Sequence, residues 1–151
     1  MNTITEALVV EHDVFSAVFG LIERVLPDLR ALAEVKRLAG LVEGMLQRHA
    51  EAEASLVYVA LDHVLQDQGE IDRLHQDHQE IDLRLKQVQA AGEPQEARRL
   101  LAAALAASRQ HFDFEEEMVF PMIEKALQAE TLRELAKAWR QQGRALGRQS
   151  V

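Results

Sequence analysis

Apolar residues recur at alternating spacings of four and three along the start of the chain, through Leu8, His12, Phe15, Phe19, Ile22 and Leu26. That spacing is one face of an amphipathic helix. Thr3 followed by Glu6 has the form of a capping box and sets the helix start. Pro27 and Asp28 end it. A second helix is predicted over about 32–65, with Leu38, Val42, Met45, His49, Ala52 or Glu53, Leu56 and Ala60 on its seam. Residues 66–70, around Gly69, read as the next break. Ile71, Leu74, His78, Ile81, Leu85 and Val88 form the cleanest seam, and Gly92-Glu93-Pro94 is a stop followed by a start. The fourth helix carries Leu100, Ala104, Ala107, His111, Glu115, Met118 and Met122, with a kink expected at Pro121. A second capping box, Thr131 to Glu134, opens a short last helix with Leu132, Leu135 and Trp139.

Four long helices with short connections predict an all-α fold, an up-down-up-down four-helix bundle with a short C-terminal fifth helix. One domain is expected over 1–151, with the four-helix core at about 3–128 and the last helix at about 131–147. Composition agrees. Three prolines, seven glycines and 5% aromatic residues leave little material for turns or strands.

Other features exclude whole classes of function. With no cysteine, the chain has no disulfide framework, thiolate zinc site, iron–sulfur ligation or thiol nucleophile. A net charge of −8 argues against nucleic acid as a partner. The first residues, MNTITEALVV, have neither a basic segment nor an apolar one of signal-peptide type. No run approaches the ~20 apolar residues that span a bilayer. A soluble cytoplasmic protein with no membrane partner is the expectation. Dinucleotide, Walker, nucleophile-elbow and HExxH motifs are missing. No catalytic residue is assigned, and enzymatic activity stays open.

The six histidines are organised. His12, His49, His78 and His111 each fall on the seam of a different helix, whereas His63 and His75 do not. Glu53 follows His49 by four residues, and Glu115 follows His111 by four, which puts each pair on one helix face. None of the histidines has Glu three residues before it, so the Glu-x-x-His pattern of ferritin-like di-iron proteins is missing. The chain also repeats: His49 to Leu61 parallels His111 to Ile123 at an offset of 62, and Glu11-His12 parallels Asp77-His78. Each half thus supplies one seam histidine, then one His-x-x-x-Glu on the next helix.

Two carboxylates facing each other in a core repel unless cations sit between them. Imidazole with carboxylate suits iron, manganese or zinc rather than calcium or magnesium. A pair of metals resolves the charge, with two bridging glutamates and two terminal histidines on each. Room then remains for a solvent-derived bridge or a small exogenous ligand.

The segments EHDVF, RHAEAEASLVY, DHQEID and HFDFEEEMVFP, in that order, resemble the hemerythrin-like (HHE cation-binding) domains over Thr3 to about Gln128. The resemblance implies a non-haem centre of two iron ions, oxo- or hydroxo-bridged, with manganese or zinc as substitutes. It implies His12, His49, His78 and His111 as terminal ligands and Glu53 and Glu115 as bridges. Two departures matter. The oxygen carriers of the family have a fifth histidine four residues before the helix-three ligand, where this chain has Leu74. His75 is the nearby candidate for an additional ligand. They also place Asp five residues after the helix-four histidine, where this chain has Glu116, the fallback for Glu115. The implied function is binding of, or reaction with, oxygen, nitric oxide or peroxide in sensing, storage or detoxification. Iron donation or iron–sulfur cluster repair is the alternative, and a metal-free interaction module a third reading. Arg133, Lys137, Arg140, Arg144 and Arg148 form a basic stripe on the last helix. That stripe reads as a solvated face, or as a docking surface for an acidic protein client.

Overall fold

The computed structural model describes residues 3–63 and 69–148 and contains helices and no strand among them. Helix α1 (Ile4–Val25) starts at the Thr3 capping box, in which Thr3 Oγ1 accepts from the Glu6 backbone and Glu6 accepts from the Thr3 backbone. A single 3-10 turn, Leu26–Asp28, follows at Pro27. Helix α2 (Leu32–Ala52) runs without interruption into a π-helical segment, Glu53–Tyr58, and a final turn, α3 (Val59–Asp62). Helix α4 (Gly69–Ala90) leads to α5 (Pro94–Phe114), which has Pro94 in its first turn. There the missing N–H of proline has no helical partner to lose. A second π-helical segment, Glu115–Val119, joins α5 to α6 (Phe120–Ala126), and α7 (Ala129–Arg148) closes the chain. No described helix is long and apolar enough to cross a membrane.

Several boundaries differ from the sequence reading. Gly69 and Glu70 belong to α4 rather than to a break, while Leu65 and residues 66–68 lie outside the described residues. Helix α7 is 20 residues long, not short, and starts before Thr131, so the second capping box is not used as a cap. Gly40 and Gly44 lie four residues apart in α2, the spacing that can permit close helix approach. A Cβ at Gly40 would come no nearer than 3.9 Å to Gln89, and one at Gly44 would meet nothing within 4 Å. The pair therefore admits no tight contact.

Helix α4 packs on α5 and α2, α5 also touches α1 and α2, and α7 lies against α1 and the first π segment. Two apolar cores result. One contains Phe15, Phe19, Val42, Leu85, Leu101 and Phe112, and the other contains Leu8, Val57, Leu61, Leu74, Val119 and Ile123. On each of the four long rods the change from one core to the other occurs at a histidine. Leu8 and Phe15 flank His12, Leu46 and Val57 flank His49 and Glu53, Leu74 and Ile81 flank His78, and Leu105 and Val119 flank His111 and Glu115.

The π segments correct the predicted seams. Met118 is 57% exposed and Leu56, Ala60 and Met122 are only partly buried, whereas Val57, Tyr58, Leu61, Val119, Phe120 and Ile123 are buried. A π segment accommodates an extra residue in the turn. The buried face therefore moves on by one position, about 100° of helix rotation. Both shifts start at the glutamate of His-x-x-x-Glu, so they preserve the internal repeat.

Candidate metal centre

The polar layer between the two cores is built from α1, α2, α4, α5 and the two π segments. His12, His49, Glu53, His111 and Glu115 are each 3% exposed or less, and the His78 side chain is 17% exposed. These six residues converge. Nε2 of His12 lies 3.1 Å from Nε2 of His49, and Nε2 of His78 lies 2.8 Å from Nε2 of His111. Glu53 reaches His49 at 3.0 Å through Oε1 and His78 at 3.4 Å through Oε2. Glu115 reaches His111 at 3.3 Å through Oε1 and His12 at 3.3 Å through Oε2. Two donor groups arise: His12, His49, Glu53 and Glu115 form one, and Glu53, His78, His111 and Glu115 form the other. In each, one donor atom per residue lies within 4.8 Å of all the others, and both carboxylates belong to both groups.

The outward faces of the imidazoles explain why Nε2 points inward. Nδ1 of His49 is 2.9 Å from Glu11, Nδ1 of His111 is 3.2 Å from Asp77, and Nδ1 of His12 is 2.8 Å from Glu116. A carboxylate at Nδ1 keeps the proton there and leaves the Nε2 lone pair directed into the layer. From sequence, Glu11 and Asp77 read as solvated surface or as acceptors for a histidine across the helix interface, and the structure decides for the second. Each reaches across to the His-x-x-x-Glu histidine of the neighbouring helix. The repeat was the available signal, because an acidic residue, Glu11 or Asp77, precedes the lone seam histidine in each half. Glu116 serves His12 from outside the layer, while Glu115 is the carboxylate inside it.

Fixing Nδ1 is expected to matter for affinity. Asp77→Asn or Glu11→Gln should weaken metal retention about 10–100-fold, the usual effect of losing such a partner. Competition with a chromophoric chelator measures this, and unchanged affinity in both variants would remove their assigned role.

Tyr58 is buried, and its hydroxyl lies 3.0 Å from Glu115 and 3.3 Å from Glu53, with His78 Nε2 at 3.4 Å. Burial, reinforced by the two carboxylates, pushes this phenol far above its ordinary range. It is held as a hydrogen-bond donor to the carboxylates. Phe120, its counterpart in the repeat, lies beside His12, 5.7 Å between ring centroids, and Phe112 stacks on His12 at 4.1 Å. His75 is exposed, belongs to neither donor group, and meets the Tyr58 ring edge-on at 5.3 Å. His63 is exposed after α3.

Electrostatics show what the layer lacks. Glu53 Oε1 and Glu115 Oε2 are buried and accept no hydrogen bond of good geometry, although His49 Nε2 lies 3.0 Å from the first and His12 Nε2 3.3 Å from the second. Burial opposes a charge on the His49 imidazole, but Glu53 and Glu11 outweigh it and raise the group to about 10. Burial likewise opposes charge on His111, and Glu115, Glu53 and Asp77 raise it. Burial would raise Glu53, yet His49 and His78 hold its carboxyl well below the usual range. Without metal, the charge on Glu53 is thus offset by protons on the imidazoles. A cation bound to the same atoms would satisfy both orphan oxygens and replace those protons.

The profile of the hemerythrin HHE cation binding domain matches residues 3–123. The chain belongs to that family. No curated protein and no solved structure matched the chain significantly. Membership and the convergent His/Glu layer together make this hemerythrin-like protein a metal-binding one.

Metal loading of the hemerythrin-like layer should be coupled to proton release. Without metal, His49 is raised to about 10 and His111 is raised in the same direction, whereas an imidazole must be neutral to bind a metal. Apparent affinity should therefore rise as pH rises towards 10 and fall as pH drops. Calorimetry at pH 7 in buffers of different ionisation enthalpy should report proton release on metal binding; no release would contradict a protonated His49.

Proposed function

We propose that this is a non-haem di-iron protein of hemerythrin type that binds or reacts with a small ligand, oxygen, nitric oxide or peroxide, in sensing, storage or detoxification. The observation that carries the reading is the pair of four-residue donor groups sharing both carboxylates. His12 and His49 would hold one iron and His78 and His111 the other, with Glu53 and Glu115 bridging. Two nitrogen and oxygen donor sets of this kind suit iron, with manganese or zinc as substitutes. The bound pair supplies redox electrons and a coordination position for a small molecule. The scaffold is an up-down-up-down four-helix bundle in a single domain. In its support, α1 and α4 run from the Leu8 core towards the Phe19 core, while α2 and α5 run the other way.

The chain's own residues shape access to that position. A cleft of about 340 Å³ reaches the layer beside His49, His78 and His111, with Leu46, Ile81, Leu85 and Phe112 on its walls. Apolar walls admit a small neutral ligand and limit water at the metals. Phe112 and Phe120 screen the opposite side around His12.

One observation favours iron donation as a second reading. Glu43, Glu51 and Asp82 line the same cleft, which gives a cation an acidic path past the partly exposed His78. Anaerobic titration of the iron-loaded protein with oxygen, nitric oxide and peroxide, followed by absorption, tests the first reading. Spectral change with at least one of them at a stoichiometry near one per iron pair is expected. No change with any, together with transfer of iron to an apo acceptor protein, would replace it by the second.

A further inference from the structure

Helix α1 leaves a row of apolar side chains in solvent. Val10, Val14, Leu21 and Val25 are 47%, 55%, 55% and 39% exposed, and they are four of the eight exposed large hydrophobic residues described. Ala17, also exposed, lies between them. At about 100° per residue the five residues occupy an arc of about 80°, turned away from His12, Phe15 and Phe19. Their spacings of four, three, four and four make a seam of coiled-coil type. Single exposed apolar residues need no explanation, but a contiguous helix-long row marks an association surface.

The charges beside the row select its occupant. Asp13 lies on one edge towards the helix start, and Arg24 lies on the same edge towards its end. The opposite edge carries Val18 and Glu11, and Glu11 is engaged by His49. Glu23 is paired with Arg109, whereas Asp13 and Arg24 form no ion pair among the described residues. A second α1 packed antiparallel about a two-fold axis sets the Asp13–Arg24 edge against itself in reverse. With Val14 facing Leu21 of the copy, Asp13 comes within about two residues of the copy's Arg24 position, and the pairing occurs twice. The Arg24 side chain lies back along the helix, with Nη1 3.9 Å from where a Cβ on Gly20 would be, which brings its charge further towards that level. Parallel packing would instead face the charged edge with Val18.

We propose that two copies of this chain associate through the outer face of α1 as an antiparallel, two-fold symmetric pair. Like charges opposed across such a seam penalise the wrong register, so the ion pairs also specify direction.

Sedimentation equilibrium of the full chain over about 1–300 µM, the range of weak specific association, tests this. A concentration-dependent dimer is expected. Leu21→Glu should weaken it at least tenfold while helicity and metal content stay as in the wild type; Val14→Glu serves if that variant does not fold. Asp13→Arg and Arg24→Asp should each weaken association, and the double swap should restore it. A wild type that stays monomeric throughout, or a Leu21→Glu dimer of undiminished strength, overturns the proposal. A swap that restores nothing overturns the antiparallel register.

Discussion

Glu115→Ala is expected to empty both halves of the metal layer, whereas His78→Ala is expected to empty one. The difference follows from the sharing of donors. Glu53 and Glu115 belong to both four-residue groups, while His78 belongs only to the group with His111. Removing a shared carboxylate takes one donor from each group and one of the two negative charges that balance the cations. Removing His78 leaves the other group complete. The loss on deleting a direct ligand should exceed the about 10–100-fold typical of an outer partner. Metal analysis of purified, iron-replete protein should give about two iron per chain in the wild type, about one in His78→Ala and close to none in Glu115→Ala or Glu53→Ala. A Glu115→Ala protein that still holds two would refute the shared-bridge arrangement.

Removal of the metals should lower thermal stability by about 8–16 °C without unfolding the helices. In the metal-free layer the Glu53 and Glu115 carboxylates face four imidazoles, and one oxygen of each carboxylate accepts no hydrogen bond of good geometry. A ligand present at about a thousand times its dissociation constant stabilises the folded state by roughly 4 kcal/mol. Each kcal/mol moves the midpoint by about 2–4 °C in a chain of this size. The two apolar cores lie above and below the layer and need no metal, since Phe19, Leu101, Leu8 and Ile123 are buried against one another's helices independently of it. Calorimetry with and without chelator measures the midpoint, and far-ultraviolet dichroism measures the helices. Equal midpoints in the two states would show that nothing in the layer is satisfied by a cation.

The seams of α1 and α4 were legible residue by residue. Leu8, Phe15, Phe19, Ile22 and Leu26 are buried on the first, and Ile71, Leu74, Ile81, Leu85 and Val88 on the second. These helices are regular, so a spacing of three and four maps directly onto one face. The other two rods were legible less fully: Val42, His49, Ala104 and His111 are buried as expected, but Leu38, Met45, Leu100 and Ala107 are only partly so, and Leu46 and Leu101 are buried beside them. Beyond Glu53 and Glu115 an α-helical period assigned Leu56 and Met118 to the core, and the π segments assigned Val57 and Val119 instead. A one-residue insertion in backbone winding changes no residue type, so composition and spacing carry no mark of it. The apolar runs Leu56-Val57-Tyr58 and Met118-Val119-Phe120 fit either phase.

The partners of Nδ1 were hidden for a different reason. Glu11 and Asp77 point about 100° from the histidine next to them, so on their own helices they read as surface. Their acceptors lie on neighbouring helices, at His49 and His111. Whether such a residue meets water or an imidazole depends on how far apart two helices sit, which one strand of sequence does not contain.

Sequence alone therefore determined the helical class, the four seam histidines, the two His-x-x-x-Glu glutamates and the absence of any thiol ligand, because each depends on residue type and local period. Tertiary structure decided the rest: that these donors meet in one layer between two apolar cores, that Glu11, Asp77 and Glu116 orient the imidazoles from outside, that His75 stays in solvent, and that α1 carries an uncovered apolar row. Those outcomes depend on distances and facing directions between helices, and side-chain periodicity sets only which face of a helix is buried, not what it is buried against.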